Sequence, residues 1–494
     1  MASDPKEVER DVAPASGPPA ERPTAIWTRR FVILAFWAVV VCLGLPLWTW
    51  TTTIHRSELP LESMNAWAEG HACKFHFPLQ ISLSASHLSA ELRRDVASRT
   101  QDLLNGRGTG SLHTFNVSFD EARNTTALVV FLTNQQPDEP PKAKLRTWEP
   151  VLDAEVNIDT ADAVADTAIF LAQQISDLFD DEGAFLASLL HSSPFESSSH
   201  QLQSFEQQAK LDGRNTRAFK YASTYHLTFS LITPHGSPSA WEIEQALSES
   251  ISKLIKPLSA ISHFVVNTQV QLFARFSPSI AGPTFDSANN RWKLQHEDLS
   301  GFVNAAEWPL SPSIGSGPTI NFILYVPAPD QNPLSIGESG QTSWIIPQWG
   351  GVQVHNALNN TAGRLTAQDL EDDMLVFAEQ LTTLLGVPQT PPSLSLRISS
   401  LARERATSLI LSASSTLGAL ARLTLKLTSI AIPDSVAKSV DATIYRLDQA
   451  CRNLNAGQSN GRAVGHGWVE GDPEVTRKKS EDLVKSKHSL KSIS

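Results

Sequence analysis

Residues Phe31 to Trp50, FVILAFWAVVVCLGLPLWTW, carry no charge and follow directly on Arg29 and Arg30. No other stretch constrains this chain as strongly. Twenty residues rising about 1.5 Å each span roughly 30 Å, the hydrocarbon thickness of a bilayer, and Trp48 and Trp50 suit the far interface. The segment therefore predicts a transmembrane anchor over 29–52. Arg22, Arg29 and Arg30 stand on the amino-terminal side, against His55, Arg56 and Glu58 on the other. This bias predicts a cytosolic amino terminus and a lumenal body. A cleaved signal peptide would have a shorter apolar region ending in small residues, whereas this one ends in LPLWTWTTT.

Three sequons accord with a lumenal body: Asn116, Asn124 and Asn359. The 494 residues, 41% hydrophobic and 18% charged, suffice for one large domain or two. A formal net charge of -11 argues against a nucleic-acid partner, which would require a basic face. With Cys42 inside the anchor, Cys73 and Cys451 allow at most one disulfide.

Residues 1–28 are proline-punctuated and polar, which predicts a disordered cytosolic tail, and the polar, basic stretch 456–494 predicts a second one. Between them, 53–455 predicts one lumenal domain of mixed α/β class, a sheet flanked by helices with a helical carboxy-terminal end. Helical periodicity occupies 87–105, Thr160 to about Leu190, the stretch around 239–255, the stretch after Arg364, and two stretches within 395–453 broken at Ile432-Pro433. Strand patterns occupy 127–133, 225–233, 263–276 and 319–327, and residues 135–144 read as a loop. Thr366 with Asp369 predicts a helix start, and Gly386 with Pro388 a stop. Residues 407–421, uncharged yet rich in Ser and Thr, predict a core or partner-facing helix rather than a second span.

Catalytic signatures are scarce. The sequence holds no G-x-S-x-G elbow, no G-x-x-x-x-G-K-[ST] loop and no H-E-x-x-H helix. His71, Cys73 and His76 have zinc-ligand chemistry without a fourth ligand, and their alternation reads as a strand around a structural thiol. Asp177, Asp180, Asp181 and Glu182 lack the alternation of a calcium loop and read as a solvated helix end. Glu371-Asp372-Asp373 falls inside a helix, which argues against a metal-bound sugar nucleotide. No catalytic residue, metal ligand or cofactor is predicted.

The motif Gly44, Pro46, Trp48 in LGLPLW, with Thr51 to Thr53, Arg56 and Leu59-Pro60, resembles the phosphatidylinositol-glycan class S subunit of the GPI transamidase. So do Phe322 to Pro327, Pro333-Leu334, Asn356 and the block Ile345-Ile346-Pro347-Gln348-Trp349-Gly350-Gly351-Val352, as do Gln380-Leu381, Leu384 to Gly386, 430–436 and 447–451. The likeness covers roughly 29–455. It implies a noncatalytic subunit of an endoplasmic-reticulum complex that attaches GPI anchors to proproteins, with the catalytic cysteine on another, cysteine-protease-like subunit. The implied partners are the other subunits and the membrane, with the GPI lipid and proprotein touched indirectly. That family carries a second span near its carboxy terminus, which the stretch after Asn455 does not match. The alternative expectation is a single-span lumenal enzyme of glycan processing.

Overall fold

The computed structural model describes residues 22–457, except 53, 55, 86–87, 107–111, 120–125, 136–138, 159–160, 192, 194–208, 210–211, 215, 275, 277–280, 300–301, 303–316, 357–362 and 428–429. The polar tails expected at 1–28 and 456–494 thus lie mostly outside the described residues, as do Asn124 and Asn359. The chain divides into two compact units, one comprising residues up to Leu59 with Leu423–Ser439, the other Pro60–Arg422 with residues from Val440 onward.

The smaller unit contains helix α1, Pro23–Thr52, a continuous 30 residues with none of its apolar window buried. Pro46 has no N–H to donate, and the helix widens to a π turn over Val40–Gly44 just ahead of it. Beyond the proline, Thr49, Thr51 and Thr52 turn their hydroxyls back onto helix carbonyls, Thr51 Oγ1 donating to Leu47 O at 2.8 Å. The polar end of the helix thereby satisfies its own hydroxyls, as an apolar surrounding requires.

The larger unit starts with α2 (Leu61–Ala68) and a first sheet with its helices: β1 (Phe77–Ser84), α3 (Ala90–Gly106), β2 (His113–Ser118), β3 (Thr126–Asn134), β4 (Lys142–Leu145), β5 (Val151–Val156) and α4 (Ala161–His191). The second half contains β6 (Thr224–Ile232), β7 (Ala240–Trp241), α5 (Ile243–Glu249), α6 (Ile251–Leu258), β8 (His263–Gln271), β9 (Thr284–Asp286) and β10 (Arg291–Leu294). It continues through β11 (Thr319–Tyr325), β12 (Leu334–Ile336), β13 (Ser343–Ile346), β14 (Gly350–Val354), β15 (Arg364–Leu365) and α7 (Glu371–Leu384). Two long helices follow, α8 (Leu394–Lys426) and α9 (Asp434–Asn455), whose stretch Leu423–Ser439 is counted in the smaller unit.

The two five-stranded sheets share one topology. The first runs β2-β1-β3-β5-β4 and the second β8-β6-β11-β14-β13. Numbered within each sheet, both orders are 2-1-3-5-4. In both, the first, second, third and fifth strands are parallel and the fourth pairs antiparallel at the edge. Helices also fall in matching places: α3, and α5 with α6, connect strands one and two, while α4 and α7 follow strand five. The body is thus an internal duplication of one α/β plan. The second copy carries two insertions, β9 with β10 before β11 and β12 after it, that together form a small sheet of their own.

Each sheet has its own core. Ile81, Leu83, Val130 and Ala154 meet Val164, Leu171 and Ile175 in the first. Phe229, Phe322 and Leu324 meet Met374, Phe377 and Leu381 in the second. Helix α8 serves both: Leu396 enters the first core, while Leu394, Ile398 and Leu401 enter the second. α8 passes a length-and-composition test for a membrane span. Yet Ile410, Leu417 and Ala421 are buried in the body, as the Ser- and Thr-rich sequence of 407–421 predicts.

Four sequence-based expectations need correction. Residues 71–76 form no strand, which begins at Phe77; His76 N–H goes to the Asn455 side chain instead of a sheet partner, and Cys73 is bonded to Cys451. Glu182 is no solvated helix end but a buried charge inside α4. The 135–144 loop contains the start of β4, and the 263–276 strand stops at Gln271, before Phe273 with its positive φ of 58°.

Candidate functional site

The block Pro347-Gln348-Trp349-Gly350-Gly351 turns β13 into β14. Trp349 N–H donates to Ile346 O at 3.1 Å across a turn that places Pro347 second and Gln348, at φ 55°, third. This is the geometry that a proline-led turn with a left-handed third residue adopts. The two glycines then let β14 enter the sheet interior between β11 and β13. A Cβ on Gly350 would lie 1.9 Å from Asn321 O, and one on Gly351 1.9 Å from Gln380 Oε1. Gln380, on α7, occupies that space and donates to Val352 O and Trp344 O at 3.1 and 3.2 Å. The glycines therefore pack the sheet; they present no edge.

Past the glycines, at the end of β14, His355 Nδ1 lies 2.6 Å from Asp373 Oδ2, and Gln353 Nε2 donates to Asp373 Oδ1 at 2.9 Å. Both partners of Asp373 come from the end of β14, so the acidic start of α7 is fastened to the sheet. Asp373 is buried and fully engaged, which removes it from the Glu371-Asp372-Asp373 metal pattern. Among the described residues, no group of three His, Cys, Asp or Glu side chains is placed to hold a metal.

A second constellation gathers on α8, and residue pattern alone did not expose it. Arg403 grips Glu182 of α4 through Nε and through Nη2, the latter at 2.6 Å, and His113 Nε2 lies 3.5 Å from the same carboxylate. One residue on, Glu404 pairs with Arg214, whose Nε also donates to Gly386 O at 2.7 Å. Arg403 thus ties α8 to the first repeat, while Glu404 ties it to the segment ahead of the second. Burial pushes the Glu182 carboxyl up, but the charge and hydrogen bonds of Arg403, with His113, outweigh it and hold that carboxyl well below the usual range. For Glu404 burial wins over Arg214, and its carboxyl is raised. The sequence signal available was charged residues within an apolar helical run, which signifies either solvent or a buried partner.

An open cleft of about 770 Å³ lies beside these helices, lined by Trp148, Lys253, Glu371, Leu375, Glu379 and Arg397 among others. Its lining includes carboxylates, cations and hydroxyls but no His or Cys.

The remaining expected sites are placed as follows. Phe31, Gly44, Pro46, Trp48 and Trp50 lie along α1, where a Cβ on Gly44 would meet nothing within 4 Å. Arg56 donates from Nη2 to Thr424 O at 2.9 Å, capping a carbonyl in the last turn of α8. Asn116 is exposed on the edge strand β2. The structure does not bring the amino-terminal motif and the Pro347–Gly351 block together in one unit.

The family model described as phosphatidylinositol-glycan biosynthesis class S protein matches residues 35–467, from within α1 to beyond α9. The chain belongs to that family. Among its relatives is the GPI transamidase component PIG-S homolog of Schizosaccharomyces pombe, 31% identical over 256 residues, which are 49% of this chain and 45% of the relative. The GPI-anchor transamidase component PIGS of Homo sapiens is 29% identical over 274 residues, 50% of this chain and 49% of the relative. The GPI transamidase component GPI17 of Saccharomyces cerevisiae is 23% identical over 449 residues, 85% of this chain and 79% of the relative. Against the first two, the matched region spans about half of each relative's length. In this class S chain, the turn block packs the second sheet, while the α8 ion pairs fasten α8 to both halves of the body.

Proposed function

We propose that this class S family member is a noncatalytic subunit of the GPI transamidase, supporting assembly or substrate presentation while GPI anchors are attached to proproteins. The match over 35–467, to relatives whose names describe transamidase components, carries the reading. Those names favour it over a glycan-processing enzyme. In this proposal residues 1–28 are cytosolic, 29–52 cross the endoplasmic-reticulum membrane, and 53–455 are lumenal. The disulfide Cys73–Cys451 supports the lumenal side, since such bonds persist in oxidising compartments. The catalytic cysteine would lie on a separate, cysteine-protease-like subunit, with this chain providing a rigid duplicated body. Asn359, Asn116 and Asn124 are the proposed glycan acceptors, and a glycosidase mobility shift lost on Asn→Gln substitution tests each.

The decisive experiment tags the amino terminus, solubilises membranes in mild detergent and identifies stoichiometric companions by mass spectrometry. Recovery of a cysteine-protease-like transamidase subunit is the expected result. Recovery of the chain alone, from cells whose GPI-anchored proteins depend on it in no measurable way, would overturn the reading.

A further inference from the structure

The smaller unit holds a feature that the subunit reading does not use. Helix α8 loses its burial after Ala421, and Leu423, Leu425, Leu427 and Ile430 follow with 42 to 60% of their surface exposed. Four large aliphatic side chains within eight residues are an unusual concentration for a surface that faces only water.

Their place in the fold is set by the anchor. Ser57 N–H donates to Ile432 O at 2.9 Å, Ser57 Oγ donates to the same carbonyl at 3.0 Å, and Arg56 Nη2 reaches Thr424 O at 2.9 Å. Ser57 also bonds Asp434. Both ends of the 424–432 segment are therefore fastened to residues 56 and 57, which follow the last residue of α1 by only four and five positions. Four residues reach at most roughly 14 Å when fully extended. The headgroup layer adds on the order of 5–8 Å to each side of the hydrocarbon core. Trp50, at the far end of the apolar run, marks the edge of that core. The tether thus keeps the four aliphatic side chains at or just above the headgroup layer. Lys426 and Lys438 belong to the same unit and supply cations on long apolar stems, which suit headgroup phosphates.

We infer that Leu423, Leu425, Leu427 and Ile430 form an interfacial foot that inserts into the outer part of the bilayer beside α1, so that the chain meets the membrane at two points. The occupant is the lipid surface itself, because the patch is continuous with the anchor and held within reach of the headgroups. This inference rests on α1 being a membrane anchor, and the test separates the two ideas.

The full-length chain with Cys42→Ser, whose other cysteines are bonded to each other, would carry one added cysteine labelled with the environment-sensitive dye NBD. Leu427→Cys and, independently, Leu425→Cys report on the foot, and Val39→Cys reports on the anchor. Each chain is reconstituted into phosphatidylcholine vesicles without quencher, with lipids bearing a doxyl quencher near the headgroup, and with lipids bearing it deep in the acyl chain. The expected result is blue-shifted emission and loss of intensity to doxyl lipid at 425 and 427, with Val39→Cys also blue-shifted and quenched more by doxyl placed deeper in the chain. If 425 and 427 emit as in water while 39 is quenched, the foot is wrong and the anchor stands. If 425 and 427 are blue-shifted yet unquenched, protein covers the patch and the inference fails. If position 39 is also unquenched, the anchor reading falls and the foot with it.

Discussion

At Gly350 a single added methyl group has no room. The Cβ would sit 1.9 Å from Asn321 O on the neighbouring strand, and backbone cannot swing aside as a side chain can. Gly350→Ala is expected to destabilise the body by at least about 2 kcal/mol, the scale of core overpacking, and to lower the thermal midpoint accordingly. Gly351→Ala differs in kind, since it displaces only the Gln380 amide and the two carbonyl contacts that amide serves. It should cost less, and Gln380→Ala should recover part of the loss in the double variant; a fully additive pair would refute the steric account. Gln348 is the opposite case. Its φ of 55° strains an L residue, so Gln348→Gly is expected to raise the unfolding midpoint, by up to about 1 kcal/mol in stability, if its weak contacts to Thr216 and Arg217 are dispensable.

Elements were legible where local chemistry decides them. Thr366 and Asp369 do exchange bonds, Thr366 N to Asp369 Oδ2 at 2.9 Å and Asp369 N to Thr366 Oγ1 at 3.3 Å, but they close the turn ahead of α7, which starts later, at Glu371, behind a Leu370 that makes no side-chain cap. At the other end of α7, Gly386 at φ 71° and Val387 N–H, which bonds Thr382 O, complete the stop that Gly386 and Pro388 signal. Strand β11 was legible because buried parallel strands read as nearly continuous apolar runs, and β6 because Tyr225, Leu227, Phe229 and Leu231 alternate with His226, Thr228 and Ser230. β4, reading Lys-Ala-Lys-Leu after two prolines, carries no such mark; only its pairing with β5 makes it a strand. The charges on α8 were illegible for the same reason, as their partners lie far away in sequence. Arg403→Met should cost about 3–5 kcal/mol by stranding Glu182, whereas Glu182→Gln with Arg403→Met should recover most of it. The pH dependence follows from the sign. Glu182 is held below its ordinary 4.5, so the stability that its pairing gives is present above about pH 4.5 and is lost as pH falls. The raised Glu404 works the other way, contributing fully below pH 4.5 and losing that contribution as pH rises through its folded value. Urea unfolding at descending pH should therefore show the deficit of Arg403→Met shrinking below pH 4.5. A constant deficit would mean that the pair does not titrate as argued.

Across the whole molecule, the duplicated 2-1-3-5-4 plan needed the pairing of strands far apart in sequence, and strand pairing is a three-dimensional fact that residue patterns do not carry. Helix α8 serves both cores, and the return of α9 fastens the end of the larger unit to its beginning. Leu454 joins Phe77, Leu186 and Ala406 in a small shared core. Asn455 accepts from His76 N–H at 3.1 Å and donates to Lys74 O at 2.9 Å, and Cys451 is bonded to Cys73. A bridge between residues 378 positions apart encloses nearly the entire duplicated body. In the chain-entropy account, such a loop restricts the unfolded chain strongly, and removing the bond typically costs about 2–5 kcal/mol. Cys73→Ser/Cys451→Ser is thus expected to unfold at lower temperature than the parent chain under non-reducing conditions. Reductant should lower the parent's midpoint toward that of the variant and leave the variant unmoved. The shared core and the Asn455 contacts survive in the variant, so it should still fold, with α9 the first element to gain hydrogen exchange. Equal midpoints for parent and variant would instead mean that packing around Leu454 alone fastens the carboxy-terminal helix, and that the disulfide merely records the compartment in which the chain folds.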